Sequence, residues 1–510
     1  MKFTKGYWMN LPGVTNTDAV QVREVKVEND RVYLYTVPYH ADMRAMGGPL
    51  LEMYISSPQP DIIRTEAYHF MGSNQKMPAF ELNDAHCALE VENTETTVTI
   101  KSGNTKLIIG KNPCSFDYYY KDKKLTSIGN RFGNAMISTV STPDGNYMRA
   151  QMNLDIGEKV YGLGERFTPY VKNGQTVETW NEDGGTCTEI SYKSIPFYIT
   201  NRNYGVLVND PGPVSYEICS EHVTRVQFSV PGEKLDFMVV GGDSMKNVLE
   251  NYTTLSGKPA LPPAWTFGLW LTSSFTTKYD EETVMGFVNG MKERHIPLHV
   301  FHFDCYWMKE NEWCNFDWDR AMFPDIEHQL QVMKHENNLK ICVWINTYIG
   351  QKSPLFKEAK ELGYLLKSRT ATFGSGICGR PAWVSWTSRT RVHGSGISPS
   401  CATCSTRASI ASRPTSVRES RPMLSTMTAA IRSVCTTITP TFTISAFGKC
   451  LRSTRARTRH ASLQEAPRSA DRSSRYTGAA TARRTTPPCP NPCAAAFPCA
   501  FPASASGATT

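Results

Sequence analysis

The stretch PLHVFHFDCYWMK, Pro297–Lys309, decides the fold of the central part of this 510-residue chain. Its first half is an apolar run of the length and composition of a buried strand, and that run ends at Asp304. Cys305, Tyr306 and Trp307 follow at once. Chemically active side chains directly after a buried strand are typical of parallel α/β folds, whose sites lie at the carboxyl ends of the strands. The stretch therefore predicts a strand with a functional loop.

The same alternation continues on both sides of this stretch. An apolar run, FGLWLTS, precedes a pattern of helical period that Asp280 is placed to cap. The strand-like KICVWIN and the helix-like PLFKEAKELG come after it. Three successive strand–helix units predict the opening of a (β/α)₈ barrel, which needs eight strands to close. From Ser368 onward no period of 2.0 or 3.6 is sustained, so the barrel is predicted to be truncated.

The chain before residue 240 has a different pattern. Short alternating runs such as RVYLYTVPY and RVQFSVPGEKLDFMVVGG are separated by turns rich in Gly, Asn and Asp. Several strands at such short spacing predict a β-sandwich. The predicted fold class is thus an N-terminal β-sandwich followed by a truncated (β/α)₈ TIM barrel and a C-terminal tail without a native fold.

The charge of the chain is divided at Lys367. Of its 55 Lys+Arg and 47 Asp+Glu residues, 19 and 3 follow Lys367, which leaves 36 and 44 before that point. The net charge is therefore −8 before Ser368 and +16 after it, and Lys449 is the one lysine in the basic part. An excess of arginine with almost no acids indicates GC-rich DNA read in a frame for which it was not selected.

Cysteine usage and the N-terminal sequence predict the compartment and the ligand classes. Seven widely spaced cysteines precede Ser368, without the spacing of a metal site or a complete disulfide framework. The N-terminal sequence has no apolar signal core, and no run reaches the length of a membrane span. We therefore expect a cytoplasmic protein with no metal and no membrane partner.

Several motifs have both a structural and a functional interpretation. Asp304 either belongs to a binding site or caps the following turn, and Cys305 either packs in the core or lines a pocket floor. Asp183, in the turn-like NEDGGT, reaches a ligand only if the sandwich leans over the barrel mouth. An aromatic cluster either packs the loop or forms platforms for the C–H faces of sugar rings. Its members are Trp307, Trp313, Phe316 and Trp318.

Three motifs after Lys367 do not support a function. The glycines at 374, 376 and 379 match G-x-G-x-x-G, but no strand precedes them and no acidic partner follows near position 400. Cys401 and Cys404 have no second ligand pair at zinc-finger spacing. The Arg-rich CLRSTRARTRH has the charge for electrostatic binding to nucleic acid, but we predict no nucleic-acid partner.

Long ungapped blocks of the chain up to about Lys367 resemble the α-xylosidases of glycoside hydrolase family 31. The blocks include VYGLGERFTPYVKNGQTVETWNEDGGT, SGKPALPPAWTFGLWLTSSFTTKYD, PLHVFHFDCYWMK and LKICVWINTYIGQKSPLFKEAKELGYLLK. The resemblance implies a galactose-mutarotase-like sandwich, a (β/α)₈ barrel and retaining hydrolysis of terminal α-linked sugars without a cofactor. It also implies that the chain acts on an α-xyloside or related oligosaccharide and that homo-oligomers are common.

The resemblance assigns six substrate-binding residues by position. Asp183 matches a loop carboxylate that reaches the sugar, Phe275 and Trp344 match pocket walls, and Asp304 matches the carboxylate that holds sugar hydroxyls. Cys305 and Tyr306 stand where α-xylosidases have Cys and an aromatic residue, usually Phe, and where α-glucosidases have Ile-Asp. Bulk at this point fills the space that the CH₂OH group of a hexose needs, so a pentose is preferred.

The catalytic carboxylates of the family are missing from the written chain. Retaining chemistry needs two carboxyl groups about 5 Å apart, and the family places them in KTDFGER-like and HWGGD-like strings, which do not occur here. However, SIASRPTSVRES can be encoded so that the frame starting at each third base reads CFKTDFGERIP, and RYTGAATA can likewise give VHWGGDC. A frameshift near Lys367 is therefore predicted to have removed both catalytic aspartates.

The frameshift fixes the interpretation of the remaining residues. The lost nucleophile straddles the codons of Pro414 and Thr415, and the lost acid/base straddles those of Ala480 and Thr481. Acids in the shifted part are coincidental and are not assigned to the site: Glu419, Glu465 and Asp471. We predict a sandwich over residues 1–245, the first barrel units over 246–367 and an out-of-frame, disordered segment over 368–510. The expected protein is an α-xylosidase-like glycoside hydrolase that is inactive as written, or alternatively a non-catalytic carbohydrate-binding or assembly module.

Overall fold

The structure is a computed structural model that describes residues 2–6, 9–38, 50–72, 80–129, 136–181, 188–191, 193–259, 261–273, 276–312, 314–344, 348–361 and 383–385. The chain divides into two compact units, Met1–Lys258 and Pro259–Thr510. The first unit contains β-strands and one helix, and the second contains a parallel sheet with helices. The predicted fold class, a β-rich domain followed by a barrel-type α/β domain, is confirmed.

The first unit contains nineteen of the described strands and the first helix. The strands are β1 (Thr15–Asp18), β2 (Gln21–Val27), β3 (Arg31–Val37), β4 (Leu51–Ser56), β5 (Ile62–Tyr68), β6 (Glu90–Asn93), β7 (Thr97–Ser102), β8 (Thr105–Lys111), β9 (Cys114–Tyr120), β10 (Lys123–Ile128), β11 (Ser138–Thr142), β12 (Gly145–Asn153), β13 (Val160–Gly162), β14 (Gln175–Glu178), β15 (Phe197–Thr200), β16 (Tyr204–Val208), β17 (Ser215–Ile218), β18 (Arg225–Pro231) and β19 (Lys234–Gly241). The helix is α1 (Met245–Ser256).

These strands form three antiparallel sheets. An eight-stranded sheet has the order β13-β15-β16-β19-β5-β4-β3-β2, and a six-stranded sheet has the order β1-β11-β12-β18-β17-β14. The third sheet has the order β10-β9-β8-β7-β6. Alternate residues of all three sheets meet in one apolar core, as the period of two along a strand requires. The other face of the eight-stranded sheet is covered by α1, where Phe197 stacks on Tyr252 with ring centroids 4.0 Å apart.

The outer face of the six-stranded sheet is polar but buried. Arg149 and Gln151 of β12 and Arg225 and Gln227 of β18 are each at most 4% exposed. The side chains form a hydrogen-bonded layer, in which Arg225 donates to Gln151 at 3.1 Å and Gln151 donates to Gln227 at 2.6 Å. Buried polar groups are tolerated when they are paired in this way. Glu217 of β17 belongs to the same layer and is 2% exposed.

Glu217 makes the stability of the first unit dependent on pH. Burial, followed by the neighbouring Glu221 carboxylate, raises the pKa of Glu217 from 4.5 to about 8. A hydrogen bond from the backbone N–H of Lys2 acts in the opposite direction and lowers this pKa in part. Because the folded-state pKa exceeds the unfolded one, folding takes up a proton between pH 4.5 and 8. The free energy of unfolding therefore falls as the pH rises through this window. The lowered pKa of Glu221 offsets part of the effect.

We expect Glu217→Gln to abolish most of this pH dependence. The wild-type chain should lose about 2 kcal/mol of unfolding free energy between pH 5 and pH 8.5 that the variant retains. Gln keeps the shape of the side chain but has no proton to lose. Urea unfolding at several pH values, followed by the fluorescence of the full chain, measures the difference. Parallel pH profiles for the two proteins would contradict the assignment.

The second unit begins with a three-stranded parallel sheet. Its strands are β20 (Leu269–Leu271), β21 (Leu298–Phe303) and β22 (Lys340–Val343), in that spatial order. Its helices are α2 (Glu281–Glu293), α3 (Ile326–Gln331) and α4 (Pro354–Glu361). Short 3₁₀ turns cover Ala264–Phe267 and Cys305–Trp307, and a π-helical turn, Val332–Glu336, extends α3. Three parallel strands with intervening helices are the predicted strand–helix units.

The sequence signals explain these elements. Asp280 caps α2 as predicted, since its carboxylate accepts a hydrogen bond from the backbone N–H of Thr283 at 2.9 Å.

Beyond this region, β23 (Tyr348–Gly350) pairs antiparallel with β24 (Trp383–Ser385), the one element after Lys367 among the described residues. The rest of the segment 368–510 lies outside the described residues. No helix in the described ranges is both long and apolar enough to cross a membrane.

Candidate functional site

The carboxyl ends of β20, β21 and β22 lie along one edge of the parallel sheet. The register pairs Trp270 with Val300 and places Phe303 beside Val343. In β21, Phe301 and Phe303 pack into the apolar cluster that includes residues of α2. Because side chains alternate along a strand, His302 points to the opposite face of the sheet. The residues that follow these strands are therefore brought together at one edge.

Asp304 lies at the end of β21 and is 2% exposed. Its carboxylate Oδ1 accepts a hydrogen bond from the backbone N–H of Cys305 at 2.6 Å. Its own backbone N–H donates to the hydroxyl of Tyr279 at 2.9 Å. Asp304 thus caps the 3₁₀ turn Cys305–Trp307, which is the structural interpretation of this residue. The cap does not conflict with a binding role, because it holds the carboxylate in a fixed position at the strand end.

Cys305 and Tyr306 occupy the 3₁₀ turn directly after this carboxylate. Both are half-buried, and both pack against the apolar cluster of the second unit. The turn closes when the backbone N–H of Met308 donates to the Cys305 carbonyl at 3.2 Å. The structure therefore places a thiol and a phenol ring beside Asp304, as the sequence predicts for neighbours in one turn.

Trp344 connects the end of β22 to the same turn. Its backbone N–H donates to the carbonyl of Phe303 at 2.8 Å, and its carbonyl accepts from the indole N–H of Trp307 at 2.7 Å. Its side chain is 2% exposed. These two bonds bring Trp344 to the edge that holds Asp304, so four of the six predicted site residues lie at or next to consecutive strand ends.

The other two predicted site residues are not described. Asp183 and Phe275 both lie outside the described residues, as does Trp313 of the aromatic cluster. The described members of that cluster, Trp307, Phe316 and Trp318, are each at most 5% exposed. Trp307 and Trp318 meet edge to face with centroids 5.0 Å apart. These three rings therefore pack the loop, which was one of the two interpretations of the cluster.

Two residues of this edge were missed by the sequence analysis. His302 is 5% exposed, its Nδ1 lies 3.3 Å from the Thr272 hydroxyl, and burial lowers its pKa, so the imidazole is neutral near pH 7. Tyr279 is fully buried, and burial raises the pKa of its phenol. The signal for Tyr279 in the sequence is its position directly before the helix cap Asp280, where an apolar side chain often packs against the first turns of the helix.

The turn combines a fixed carboxylate with half-buried apolar and aromatic side chains. A fixed carboxylate accepts hydrogen bonds from hydroxyl groups, and charge-assisted bonds of this kind are the stronger ones. Half-buried Cys305 and Tyr306 supply apolar area beside that carboxylate. A sugar ring presents the matching combination of hydroxyls at its edge and C–H groups on its faces.

Two protein domains match the chain. Residues 52–217 match the Glycosyl hydrolase 31 N-terminal galactose mutarotase-like domain. Residues 259–393 match the Glycosyl hydrolases family 31 TIM-barrel domain. The two matches correspond to the two compact units of the structure and occur in the same order.

Curated relatives and solved structures agree with these domains. The chain is 44% identical over 373 residues to alpha-xylosidase XylQ of Lactiplantibacillus pentosus, which covers 72% of this chain and 48% of that protein. It is 42% identical over 388 residues to an alpha-xylosidase of Emericella nidulans, with coverages of 72% and 50%. The chain thus spans about half the length of these relatives.

Two solved structures share the fold at low sequence identity. A GH31 alpha-xylosidase from a soil metagenome, complexed with xylose, superposes with a TM-score of 0.63 at 17% identity, over 85% of this chain and 64% of that chain. The GH31 dextranase of Flavobacterium johnsoniae, complexed with glucose, gives a TM-score of 0.62 at 18% identity, over 73% and 44%. With both domain matches and the order of the two units in agreement, the chain belongs to glycoside hydrolase family 31.

Proposed function

We propose that this gene encodes a retaining α-glycosidase that releases terminal α-linked xylose. The observation that carries the proposal is the turn Asp304–Cys305–Tyr306 at the carboxyl edge of the parallel sheet, in a chain 44% identical to an alpha-xylosidase. The proposed ligand is an α-xyloside or related oligosaccharide. The enzyme is proposed to act in the cytoplasm, with no cofactor, as a homo-oligomer of the kind common in the family.

The preference for a pentose is proposed to come from Cys305 and Tyr306. Both follow the fixed carboxylate of Asp304 in a closed turn, so the backbone that carries their side chains is held beside that carboxylate. A pentose has a hydrogen where a hexose has a CH₂OH group. Filling that space therefore costs a xyloside nothing and penalises a glucoside, by about 1–3 kcal/mol for groups of this size.

The 510-residue chain itself is proposed to be inactive. The chemistry requires a nucleophile and an acid/base carboxyl about 5 Å apart, and the strings that would supply them occur only in the shifted frame after Lys367. The two alpha-xylosidases each align with 72% of the chain, about 367 residues, and the family 31 TIM-barrel match ends at residue 393, so the resemblance stops well before Thr510. Residues 368–510 are then an out-of-frame segment that contributes nothing to the site.

We expect the purified 510-residue chain to hydrolyse 4-nitrophenyl α-xyloside at no more than the background rate. Without either catalytic carboxyl group, no glycosyl-enzyme intermediate forms. Release of 4-nitrophenol measures the rate, with heat-treated protein as the control. Turnover clearly above background would overturn the proposal of inactivity. Resequencing the gene around codons 365–370 then separates a sequencing error from a frameshift that the organism carries.

A second candidate function is a non-catalytic carbohydrate-binding or assembly module. The observation in its favour is that Asp304, Cys305, Tyr306 and Trp344 all precede Lys367 and lie together in the structure. Such a module would bind xylose without turnover. Calorimetric titration of the 510-residue chain with methyl α-xyloside tests it, and Asp304→Ala is the matched control that should abolish any binding.

A further inference from the structure

Tyr279 stands between the ends of two strands and the start of a helix. Its neighbour Asp280 caps α2, which fixes the backbone at this point. Tyr279 and Val284 are both fully buried in one apolar cluster, and they occupy the positions before the cap and four residues after it. Apolar contact between these two positions fixes the direction in which the chain enters a helix. The Tyr279 ring therefore has a defined orientation.

The Tyr279 ring places its hydroxyl beneath the end of β21. The ring packs against Phe303 with centroids 5.4 Å apart. The hydroxyl oxygen accepts a hydrogen bond from the backbone N–H of Asp304 at 2.9 Å. The side chain of Thr272, which follows β20, also interacts with this hydroxyl and lowers the pKa of the phenol in part. One phenol group thus joins the carboxyl ends of two neighbouring strands.

Asp304 is consequently held at two points. Tyr279 holds its backbone N–H, and the backbone N–H of Cys305 holds its carboxylate at 2.6 Å. A group that binds a ligand well must be kept within about 0.5 Å of its productive position by its supporting residues. We propose that Tyr279 is a positioning residue for Asp304 and thereby for the sugar hydroxyls that Asp304 binds, an inference that rests on the proposed function.

The kinetic test uses a frame-restored enzyme, in which one base is added or removed near codon 367 so that the family strings are translated. We expect Tyr279→Phe to raise KM for 4-nitrophenyl α-xyloside about 10-fold while kcat stays within about 3-fold. Asp304 binds hydroxyls equally in the ground state and the transition state, and the loss of such uniform binding appears in KM. A purely structural role would lower kcat through a smaller active fraction and leave KM unchanged.

Deoxy substrates and matched variants sharpen this test. Asp304→Asn, measured on a series of monodeoxy xylosides, identifies the sugar hydroxyl that Asp304 holds. On the monodeoxy xyloside that lacks this hydroxyl, Tyr279→Phe should no longer change KM. The control is Tyr216→Phe, which removes another buried hydroxyl, bonded to the Pro196 carbonyl at 3.0 Å, and should leave KM unchanged.

Hydrogen exchange on the 510-residue chain provides a readout that does not need activity. Tyr279→Phe should increase the exchange rate of the Asp304 amide at least 10-fold, and Tyr216→Phe should not change it. If the frame-restored enzyme hydrolyses no α-glycoside, the proposed function fails, and the exchange measurement alone decides the role of Tyr279. Unchanged exchange at Asp304, or an unchanged KM in an active enzyme, overturns the inference.

Discussion

Restoring the reading frame after Lys367 is expected to raise the hydrolysis of 4-nitrophenyl α-xyloside at least about 10⁴-fold above that of the 510-residue chain. Two catalytic carboxyl groups account for most of the rate enhancement of a retaining glycosidase. Both are predicted to return in this frame, in the strings whose aspartate codons straddle Pro414–Thr415 and Ala480–Thr481. Initial rates of the two purified proteins, at equal concentration, provide the comparison.

The matched control for this experiment is a frame-restored enzyme whose recovered nucleophile is Asn. It has the same length and fold as the active enzyme but cannot form the covalent intermediate. Its rate should fall back to that of the 510-residue chain. The restored enzyme should also favour the xyloside over 4-nitrophenyl α-glucoside by at least about 10-fold in kcat/KM. A restored enzyme without activity on either substrate would refute the proposed chemistry, and a preference for the glucoside would refute the roles of Cys305 and Tyr306.

Replacing Asp304 by Ala in the frame-restored enzyme should lower kcat/KM about 10³-fold, equivalent to about 4 kcal/mol. The substitution removes a buried carboxylate that we propose accepts charge-assisted hydrogen bonds from sugar hydroxyls, each worth about 1.5–3 kcal/mol. It also removes the cap of the turn Cys305–Trp307, so the neighbouring side chains lose their fixed position. Steady-state kinetics on the aryl xyloside measure the loss.

Asp317→Ala is the control for the Asp304 substitution. Asp317 lies in the same loop region and also bonds the backbone N–H of the next residue, Trp318, at 2.9 Å, but it is exposed. Removal of the Asp317 carboxylate therefore breaks a similar hydrogen bond within a turn and leaves the end of β21 unchanged. We expect kcat/KM to change less than 3-fold. Equal losses in the two variants would indicate that the turn geometry, rather than the carboxylate at the strand end, sets the activity.

The sequence predicts the architecture of the second unit well because local and tertiary signals agree there. The apolar run that ends at Asp304 becomes the central parallel strand β21, and Asp280 caps α2 as its position before the helical pattern indicates. The spacing of apolar residues along each segment is set by the face that the segment buries, so this spacing identifies a strand or a helix from the sequence alone. The β-sandwich follows from alternation in the same way.

The details of the site depend on contacts that periodicity does not encode. The bond from the Asp304 N–H to Tyr279 joins residues 25 positions apart. The contact between Trp307 and the Trp344 carbonyl spans 37 positions. Both depend on how helices and turns pack on the sheet, which no local pattern specifies. The same holds for the aromatic cluster, whose packing role became clear only from the burial of Trp318 and its neighbours.

Helix α1 ends at Ser256, and Gly257 closes its last turn immediately before the first compact unit ends at Lys258. All strands that α1 covers precede it in the chain, so the ribosome has made every contact partner of this unit before it translates the first barrel strand. Domains generally fold as units during synthesis, starting from the N-terminus. The sandwich is thus complete more than 100 codons before Lys367, so all of its strands are available for pairing before that part of the message is translated.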